Sequence, residues 1–203
     1  MSISKARMVM TAALVCVGAT AGSAPGKLQI GADRLHGEWV SQCAPIGKNG
    51  RHGSVIRLTI GSKTIRATAQ LYAKTSCDEP TLQGRYSGLV KGARQNGDRI
   101  ELDYQVRNAS FTLQREDVVG YYNRDAGCGL SGWQLGKPRS ILGQRCGSVQ
   151  IPAGGQMLYE SAWLSGDELR MGAFPIDSSN RSPEARPQAP RPLVFRRVAA
   201  TAP

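Results

Sequence analysis

The stretch RIELDYQVR, residues 99–107, has the most regular alternation of apolar and polar residues in this chain. Ile100, Leu102, Tyr104 and Val106 are apolar, while the residues between and beside them are charged or polar. Successive side chains of a β-strand point to opposite faces, so this period of two predicts a strand with one buried face. A register slip of one residue would bury five charged or polar side chains. The pairing of this strand is therefore strongly fixed.

The same alternation recurs along most of the chain. It runs through residues 56–60, 65–71 and 82–90, and further strands are expected at residues 35–43, 157–164, 169–174 and 193–198. Only residues 114–124 favour a helix, because acidic residues lie near the start and Arg124 lies near the end, as the helix dipole prefers. Strands joined by short turns predict an all-β chain, an antiparallel open β-barrel or half-barrel with one short helix.

Composition excludes several classes of protein. Of the 203 residues, 40% are hydrophobic, which is too many for a disordered tail. No apolar run reaches the roughly 18 to 20 residues of a transmembrane helix, so we expect no membrane span in the mature chain. Two histidines leave little from which to build a metal site or a His-based catalytic centre. The expectation is a single domain that is not an enzyme and holds no cofactor or metal.

The sequence contains one pair of carboxylates with the spacing of a catalytic pair. Glu101 and Asp103 share the polar face of one predicted strand, about 7 Å apart at the usual rise of a β-strand. The two carboxylates of a glycosidase have a comparable separation. Alternation with Arg99, Gln105 and Arg107 instead favours ion pairs on an outer face.

Residues 1–24 have the pattern of a secretory signal peptide. Lys5 and Arg7 precede an apolar stretch, and Ala19-Thr20-Ala21 supplies the small residues of a cleavage site. This order predicts export to the periplasm or the extracellular space. The mature domain is then expected at residues 25–198, followed by a tail at residues 199–203.

Two alternatives to simple export stay open. The apolar stretch at residues 8–17 has the length of a core helix segment as well as that of a signal peptide. Cys16 also gives an alternative in which the chain is anchored through a lipid. Val15 disfavours anchoring, because a lipid-attachment signal prefers Gly or Ala at the position before the cysteine.

Four cysteines remain after the predicted leader: Cys43, Cys77, Cys128 and Cys146. An even set in an exported chain implies two disulfides, for which three pairings exist. The spacing favours Cys43 with Cys77 and Cys128 with Cys146, because each pair brackets a compact segment. A zinc site is disfavoured, since the sequence has neither a Cys-x-x-Cys motif nor a nearby histidine.

The chain is strongly basic. Loss of residues 1–24 removes Lys5 and Arg7 and no acidic residue, which lowers the formal charge from +11 to +9. Basic residues are scattered along nearly every predicted strand rather than clustered with aromatic residues. We therefore expect a solvated basic surface and no nucleic-acid partner. Peripheral contact with a membrane and the oligomeric state stay open.

The stretch LHGEWVSQC, residues 35–43, carries a first resemblance to known proteins. Gly37 lies two residues before Trp39 on the predicted first strand. This arrangement resembles the opening of lipocalins and other calycins, whose tryptophan plugs the closed end of the barrel. The resemblance implies structural roles for Gly37 and Trp39. The simpler alternative makes Trp39 a core aromatic residue near a disulfide of Cys43.

A second resemblance covers residues 35–198. It is carried, in order, by residues 35–43, Cys77-Asp78-Glu79-Pro80-Thr81, Gly84-Arg85-Tyr86-Ser87, Cys128-Gly129 with residues 132–136, and residues 174–179 continuing to 183–187. In these segments the chain is similar to the repeated domain of the adenomatosis polyposis coli down-regulated family, here as a single copy. The resemblance implies a large antiparallel open barrel with an apolar pocket. In animal members that pocket binds lipid-modified Wnt proteins and so inhibits their signalling.

The inward faces of the predicted strands form the candidate ligand site. With three Phe and 24 Gly, side chains are not expected to fill the barrel. Burial of ten methylenes gains about 8 kcal/mol, whereas association costs about 4 to 15 kcal/mol, so a charged contact to an anionic head group is also needed. The predicted ligand-binding residues are Ile65, Leu71, Tyr86, Ile100, Leu102 and Tyr104, with Arg85 and Arg170 for the head group.

These patterns favour an exported binding module that holds a lipid, a lipidated ligand or another apolar group. The alternative is a protein-interaction or inhibitor domain with a filled core, acting through loops such as Lys137-Pro138-Arg139. Residues 178–192, rich in Pro and Arg, are expected to form a long loop without helix or strand, held in place by the last strand.

Overall fold

A computed structural model describes residues 31–173 and 179–199 of the chain. The predicted leader with Cys16, residues 174–178 and the end of the tail lie outside these described residues. Within them, the strands are β1 (Gly37–Ser41), β2 (Ala44–Ile46), β3 (His52–Ile60), β4 (Thr64–Tyr72), β5 (Pro80–Asn96), β6 (Arg99–Leu113), β7 (Pro138–Ser140), β8 (Arg145–Cys146), β9 (Val149–Gln150), β10 (Met157–Ser165), β11 (Glu168–Met171) and β12 (Val194–Arg197).

Helix is scarce in the described part of the chain. The α-helix α1 spans Glu116–Arg124 and begins two residues later than predicted, because Arg115 is extended. Residues 31–33 are also helical, and short 3₁₀ turns occur at Lys48–Gly50, Gly127–Gly129 and Pro183–Ala185. Among the described residues, no helix combines the length and the apolar character that crossing a bilayer requires.

Eight of the strands form a closed ring. Neighbouring strands pair in the order β1-β12-β11-β10-β6-β5-β4-β3, and β3 pairs back onto β1. Every pairing in the ring is antiparallel. This arrangement confirms the predicted all-β class, an antiparallel barrel with one short helix. A ring of eight strands encloses an interior that side chains can fill or that can hold one small ligand.

Residues 99–107 lie in the long β5–β6 hairpin. The even-numbered residues from Ile100 to Val106 are buried inside the barrel. The pairing then shifts, since Ser87 faces Asn108 whereas Gly88 faces Val106, which leaves Arg107 without a partner on β5. This β-bulge exposes both Arg107 and Asn108. Beyond it the odd-numbered residues point inward, and β6 continues past the predicted residues 99–107 to Leu113.

One end of the barrel is filled around Trp39, and we call it the closed end. Trp39 is fully buried, and its Nε1 donates to the Leu35 carbonyl at 2.9 Å. The guanidinium of Arg197 lies 4.0 Å from the centre of the Trp39 ring and donates to the carbonyls of His36 and Arg34 at 2.7 and 2.6 Å. Gly37 has a φ of 131°, and a Cβ at this position would lie 2.8 Å from Nη1 of Arg197. The glycine therefore makes room for the arginine that covers the tryptophan.

Residues 179–192, called the strap below, cross the outer face of β6 and β10. Arg186 holds the strap in place, donating from Nη1 to the Glu160 carbonyl at 2.7 Å and from Nη2 to the Asp103 carboxylate. The Arg186 side chain is buried by these contacts. The prediction of a loop without helix was wrong at one place, because Pro183–Ala185 forms a 3₁₀ turn.

The carboxylate of Glu101 points outward under the strap. It pairs with Arg94, Arg99 and Arg186 and accepts a hydrogen bond from Asn96 at 2.6 Å. Burial acts to raise the pKa of Glu101, but the Asn96 hydrogen bond and the three guanidinium groups outweigh it, so the pKa is lowered. These contacts confirm the predicted ion-paired outer face.

Both predicted disulfides are confirmed. Cys43 bonds to Cys77, which ties the end of β1 to the turn between β4 and β5, and Cys128 bonds to Cys146. The second bridge fastens the connection that carries β7 and the β8–β9 hairpin. Disulfides of this kind form in oxidising compartments, in agreement with an exported chain.

Candidate ligand cavity

A cavity of about 790 Å³ opens at the end of the barrel opposite Trp39, which we call the open end. The cavity lies beside the first half of β3 and β5 and the second half of β4 and β6. Trp39 lies at the other end, because it pairs with Leu58 in the second half of β3. The walls are mostly apolar. The apolar residues that line it are Ile46, Ile56, Ala67, Ala69, Leu71, Gly84, Tyr86, Phe111, Ile141 and Val149.

The cavity exists because small residues face it from neighbouring strands. Ala69 pairs directly with Gly84, and Ala67 pairs with Tyr86 across the same two strands. At Gly84 a Cβ would lie 3.2 Å from the Phe111 ring, so the ring occupies the space that a side chain would need. The closed half differs, because Ile65 on β4 is fully buried and packed. Side-chain size therefore leaves one half of the barrel hollow.

The polar part of the lining is basic. Its charged residues are Arg85, Arg181 and Arg191, and it includes no carboxylate among the residues described. Arg181 and Arg191 belong to the strap, and Nε of Arg191 donates to the Gly172 carbonyl at 3.2 Å. This rim suits an anionic group.

A buried carboxyl group lies inside the barrel wall. Glu160 on β10 is fully buried, and its Oε1 accepts hydrogen bonds from the backbone N–H groups of Ser161, Gly172 and Ala173 at 2.9, 3.1 and 2.8 Å. Burial raises the pKa of Glu160 to about 8, although the three backbone donors act in the opposite direction. The carboxyl group is therefore protonated at neutral pH.

Three further polar side chains gather near Glu160. The rings of Tyr86 and Tyr104 meet edge to face, with centroids 6.2 Å apart. Burial raises the pKa of Tyr104, Tyr86 and Glu160 raise it further, and the nearby Asn180 side chain acts in the opposite direction. Asn180 is fixed by its Nδ2, which donates to the Tyr159 carbonyl at 3.1 Å. We call Tyr86, Tyr104, Glu160 and Asn180 the polar cluster.

Four oxygen atoms of the polar cluster are covered from solvent: Oη of Tyr86, Oη of Tyr104, Oε2 of Glu160 and Oδ1 of Asn180. Side-chain hydrogen bonding couples the Tyr104 hydroxyl to the Tyr86 hydroxyl and to Asn180. The polar cluster is therefore a network inside the barrel wall.

The predicted site residues separate into two sets. Leu71, Tyr86 and Arg85 border the cavity, although the Arg85 side chain is exposed and its Nε donates to Gln83 at 2.8 Å. The other five do not line it. Ile65, Ile100 and Tyr104 are buried in the core, Leu102 borders a smaller recess of about 380 Å³ near Leu35, and Arg170 is exposed on β11.

Several cavity and cluster residues went unrecognised in the sequence. Glu160 had a usable signal, because it shares the inward face of β10 with Leu158 and Ala162 and is the only ionisable residue on the inward face of that strand. Arg181 and Arg191 had none, since the strap has no periodicity that would place it at the rim. The chain matches no protein-family model and no curated protein.

Proposed function

We propose that this chain is an exported binding module that holds a lipid or another apolar group in the open end of its barrel. The observation that carries the proposal is the cavity itself, about 790 Å³ with mostly apolar walls. Pockets for small molecules commonly measure roughly 300 to 1,000 Å³ and are apolar with a few polar groups. The two disulfides support an oxidising location.

The charge of the rim narrows the ligand class. Each buried methylene contributes about 0.8 kcal/mol, so a ten-carbon chain gains roughly what association costs, about 4 to 15 kcal/mol. A hydrogen bond to a charged group adds about 1.5 to 3 kcal/mol. Arg181 and Arg191, which line the cavity, are the proposed source of this contact. The proposed ligand is an amphiphile with one acyl chain and an anionic end, and the family resemblance adds an acyl group carried on a protein as a further form.

Binding accounts for the charged residues better than catalysis does. Glu101 and Asp103 lie on the outer face under Arg186 and outside the cavity lining. The alternative of an interaction domain acting through its loops assumed a filled core. The hollow half of the barrel disagrees with a filled core, so we prefer lipid binding to the interaction-domain alternative.

Filling the cavity tests the proposal directly. Ala69→Phe places a ring in the hollow half, whereas Thr68→Phe places the same ring on the outer face of β4. Displacement of a fluorescent fatty acid by hexadecanoic acid should give a Kd at least about tenfold weaker for Ala69→Phe, equal to about 1.4 kcal/mol. Thr68→Phe should stay within about twofold of the unmodified protein.

Native mass spectrometry of the purified mature protein provides an independent readout. The unmodified protein should form a one-to-one complex with hexadecanoic acid, and Ala69→Phe should lose it. Absence of any complex with the unmodified protein, or equal binding by both variants, would contradict the proposal. Circular dichroism melts of the three proteins check that each is folded.

A further inference from the structure

The inner end of the cavity lies at one row of paired residues. The register of β3, β4, β5 and β6 arranges their inward-facing residues in rows, which follow one another from the open end toward the closed end. Every residue of one row lines the cavity: Ile56, Ala69, Gly84 and Phe111. In the next row, Ala67 and Tyr86 still line it. The row after that is buried and outside the lining, and it consists of Ile60, Ile65, Gly88 and Val106. The cavity therefore ends at the pair of Ala67 and Tyr86.

Tyr86 is the large residue at this inner end. It pairs with Ala67 on one neighbouring strand and with Ala109 on the other, so its ring is the only large side chain of the three positions. The residue is only 3% exposed, although it lines the cavity. The small partners leave space that the ring occupies. A ligand chain that enters from the open end therefore meets the Tyr86 ring.

The barrel is filled behind the Tyr86 ring. The fully buried ring of Tyr104 meets it edge to face, with centroids 6.2 Å apart. At Gly88, the next inward position of β5, a Cβ would lie 3.1 Å from the Tyr104 ring and 3.2 Å from Cγ2 of Ile65. Those two side chains therefore occupy the space beside the glycine. The Tyr86 ring separates the cavity from this packed layer.

Hydrogen bonding holds the Tyr86 ring in place. Its hydroxyl is coupled to the hydroxyl of Tyr104, which is coupled in turn to Asn180. Asn180 is itself fixed, since its Nδ2 donates to the Tyr159 carbonyl. A displacement of the ring would break this coupling and leave a buried hydroxyl without a partner, which is unfavourable. The ring is therefore a fixed stop rather than a flap that a ligand pushes aside.

We propose that Tyr86 is a specificity-determining residue that limits the length of the acyl chain held in the cavity. The inference rests on the proposed function and specifies its ligand class by chain length. Each methylene between the open end and the ring is buried against apolar walls and tightens binding by up to about fourfold. A longer chain is stopped by the ring, so its additional methylenes stay at the open end and add little affinity.

A series of fatty acids tests the limit. Octanoic, decanoic, dodecanoic, tetradecanoic and hexadecanoic acids each displace a fluorescent fatty acid from the unmodified protein and from Tyr86→Ala. In the unmodified protein, affinity should rise with chain length and then level off within the series. In Tyr86→Ala it should level off about two to four carbons later, because truncation leaves a cavity where the ring was.

The possible outcomes separate this inference from the proposed function. An affinity that rises through the whole series in the unmodified protein would overturn the chain-length limit and leave the proposed function standing. A levelling point that is the same in Tyr86→Ala would do so too. Failure of every acid to bind the unmodified protein would overturn both.

Two changes on β4 assign the limit to the inner end. Ala67→Val adds volume opposite Tyr86 and should move the levelling point to a shorter chain, so it serves if Tyr86→Ala does not fold. Leu71→Ala is the matched control, because Leu71 lines the cavity nearer the open end. It should weaken binding of every acid and leave the levelling point unchanged. A levelling point that Ala67→Val leaves in place, or that Leu71→Ala moves as far as Tyr86→Ala does, would overturn the assignment to Tyr86.

Discussion

The closed and open ends of the barrel are built from the same strands with the same alternation, yet only one end is filled. Around Trp39 the inward positions carry large side chains, such as Leu58, Ile60 and Ile65, each at most 2% exposed. At the open end the neighbouring inward positions Ala69 and Gly84 face a cavity. The period of a strand thus decides which face is buried, and residue size at paired positions decides whether that face encloses space.

The largest expected change in the free energy of unfolding comes from Glu160, whose carboxyl group belongs to the polar cluster. Glu160 has an ordinary pKa of 4.5 and a pKa of about 8 in the folded protein. The folded state therefore binds a proton that the unfolded state has released between these values, so stability falls as pH rises through this window. Glu160→Gln removes the titration and keeps the shape. The free energy of unfolding of the Glu160→Gln protein, relative to that of the unmodified protein, should rise by on the order of 5 kcal/mol between pH 4 and pH 9.

Urea unfolding of both proteins at several pH values measures this difference. Groups that titrate alike in the two proteins cancel, including Glu101, whose lowered pKa instead makes stability fall as the pH drops. A difference in free energy of unfolding that does not change with pH would show that the Glu160 carboxyl is solvated or ionised in the folded protein.

Truncation of one aromatic residue at each end should separate the filled from the hollow half. Trp39→Ala removes a fully buried ring together with the contacts of Arg197, at an expected cost of about 3 to 5 kcal/mol. Phe111→Ala removes a ring that already borders the cavity, so the expected cost is nearer about 2 kcal/mol. Equal losses in denaturant unfolding would mean that the open end is as tightly packed as the closed end.

A smaller effect is expected from the reverse change, which adds volume at each end. Ala162 pairs with Ile100 in the filled half and is fully buried, so Ala162→Leu should cost about 1 to 3 kcal/mol through overpacking. Ala69→Leu points into the cavity and should change the free energy of unfolding by less than about 1 kcal/mol. Thermal melts of the two variants, compared with the unmodified protein, make the test. A loss for Ala69→Leu as large as that for Ala162→Leu would contradict the hollow half.

Sequence patterns predicted the strands and the disulfides better than the site. Alternation identified the cores of β3, β4, β5, β6 and β10, because burial of one face requires it. It did not reveal the bulge at Arg107, since an extra residue is a local feature of pairing. Alternation also gave no information about which inward residues line the cavity. That depends on the register that brings Ala69 opposite Gly84.

The contacts of the strap could not be predicted from the sequence either, because its residues have no periodicity. Arg186 contacts Asp103 across 83 residues of sequence, so only the folded chain reveals the pair. Asn180 reaches the polar cluster in the same way, through backbone contacts with Tyr159. The two predicted head-group residues, Arg85 and Arg170, lie on strands. Two of the three arginines that line the cavity, Arg181 and Arg191, lie on the strap instead.

The unpaired Arg107 has a consequence for how this protein tolerates insertions and deletions during evolution. Loss of that one residue would restore regular alternation from Val106 through Asn108 to Ala109, so Ala109, Phe111 and Leu113 would still face the interior. A length change in the turn around Gly97 alters no facing, because the two strands end there. Among relatives of this chain, residues should therefore be gained or lost at the hairpin tip and at Arg107 rather than elsewhere along β6.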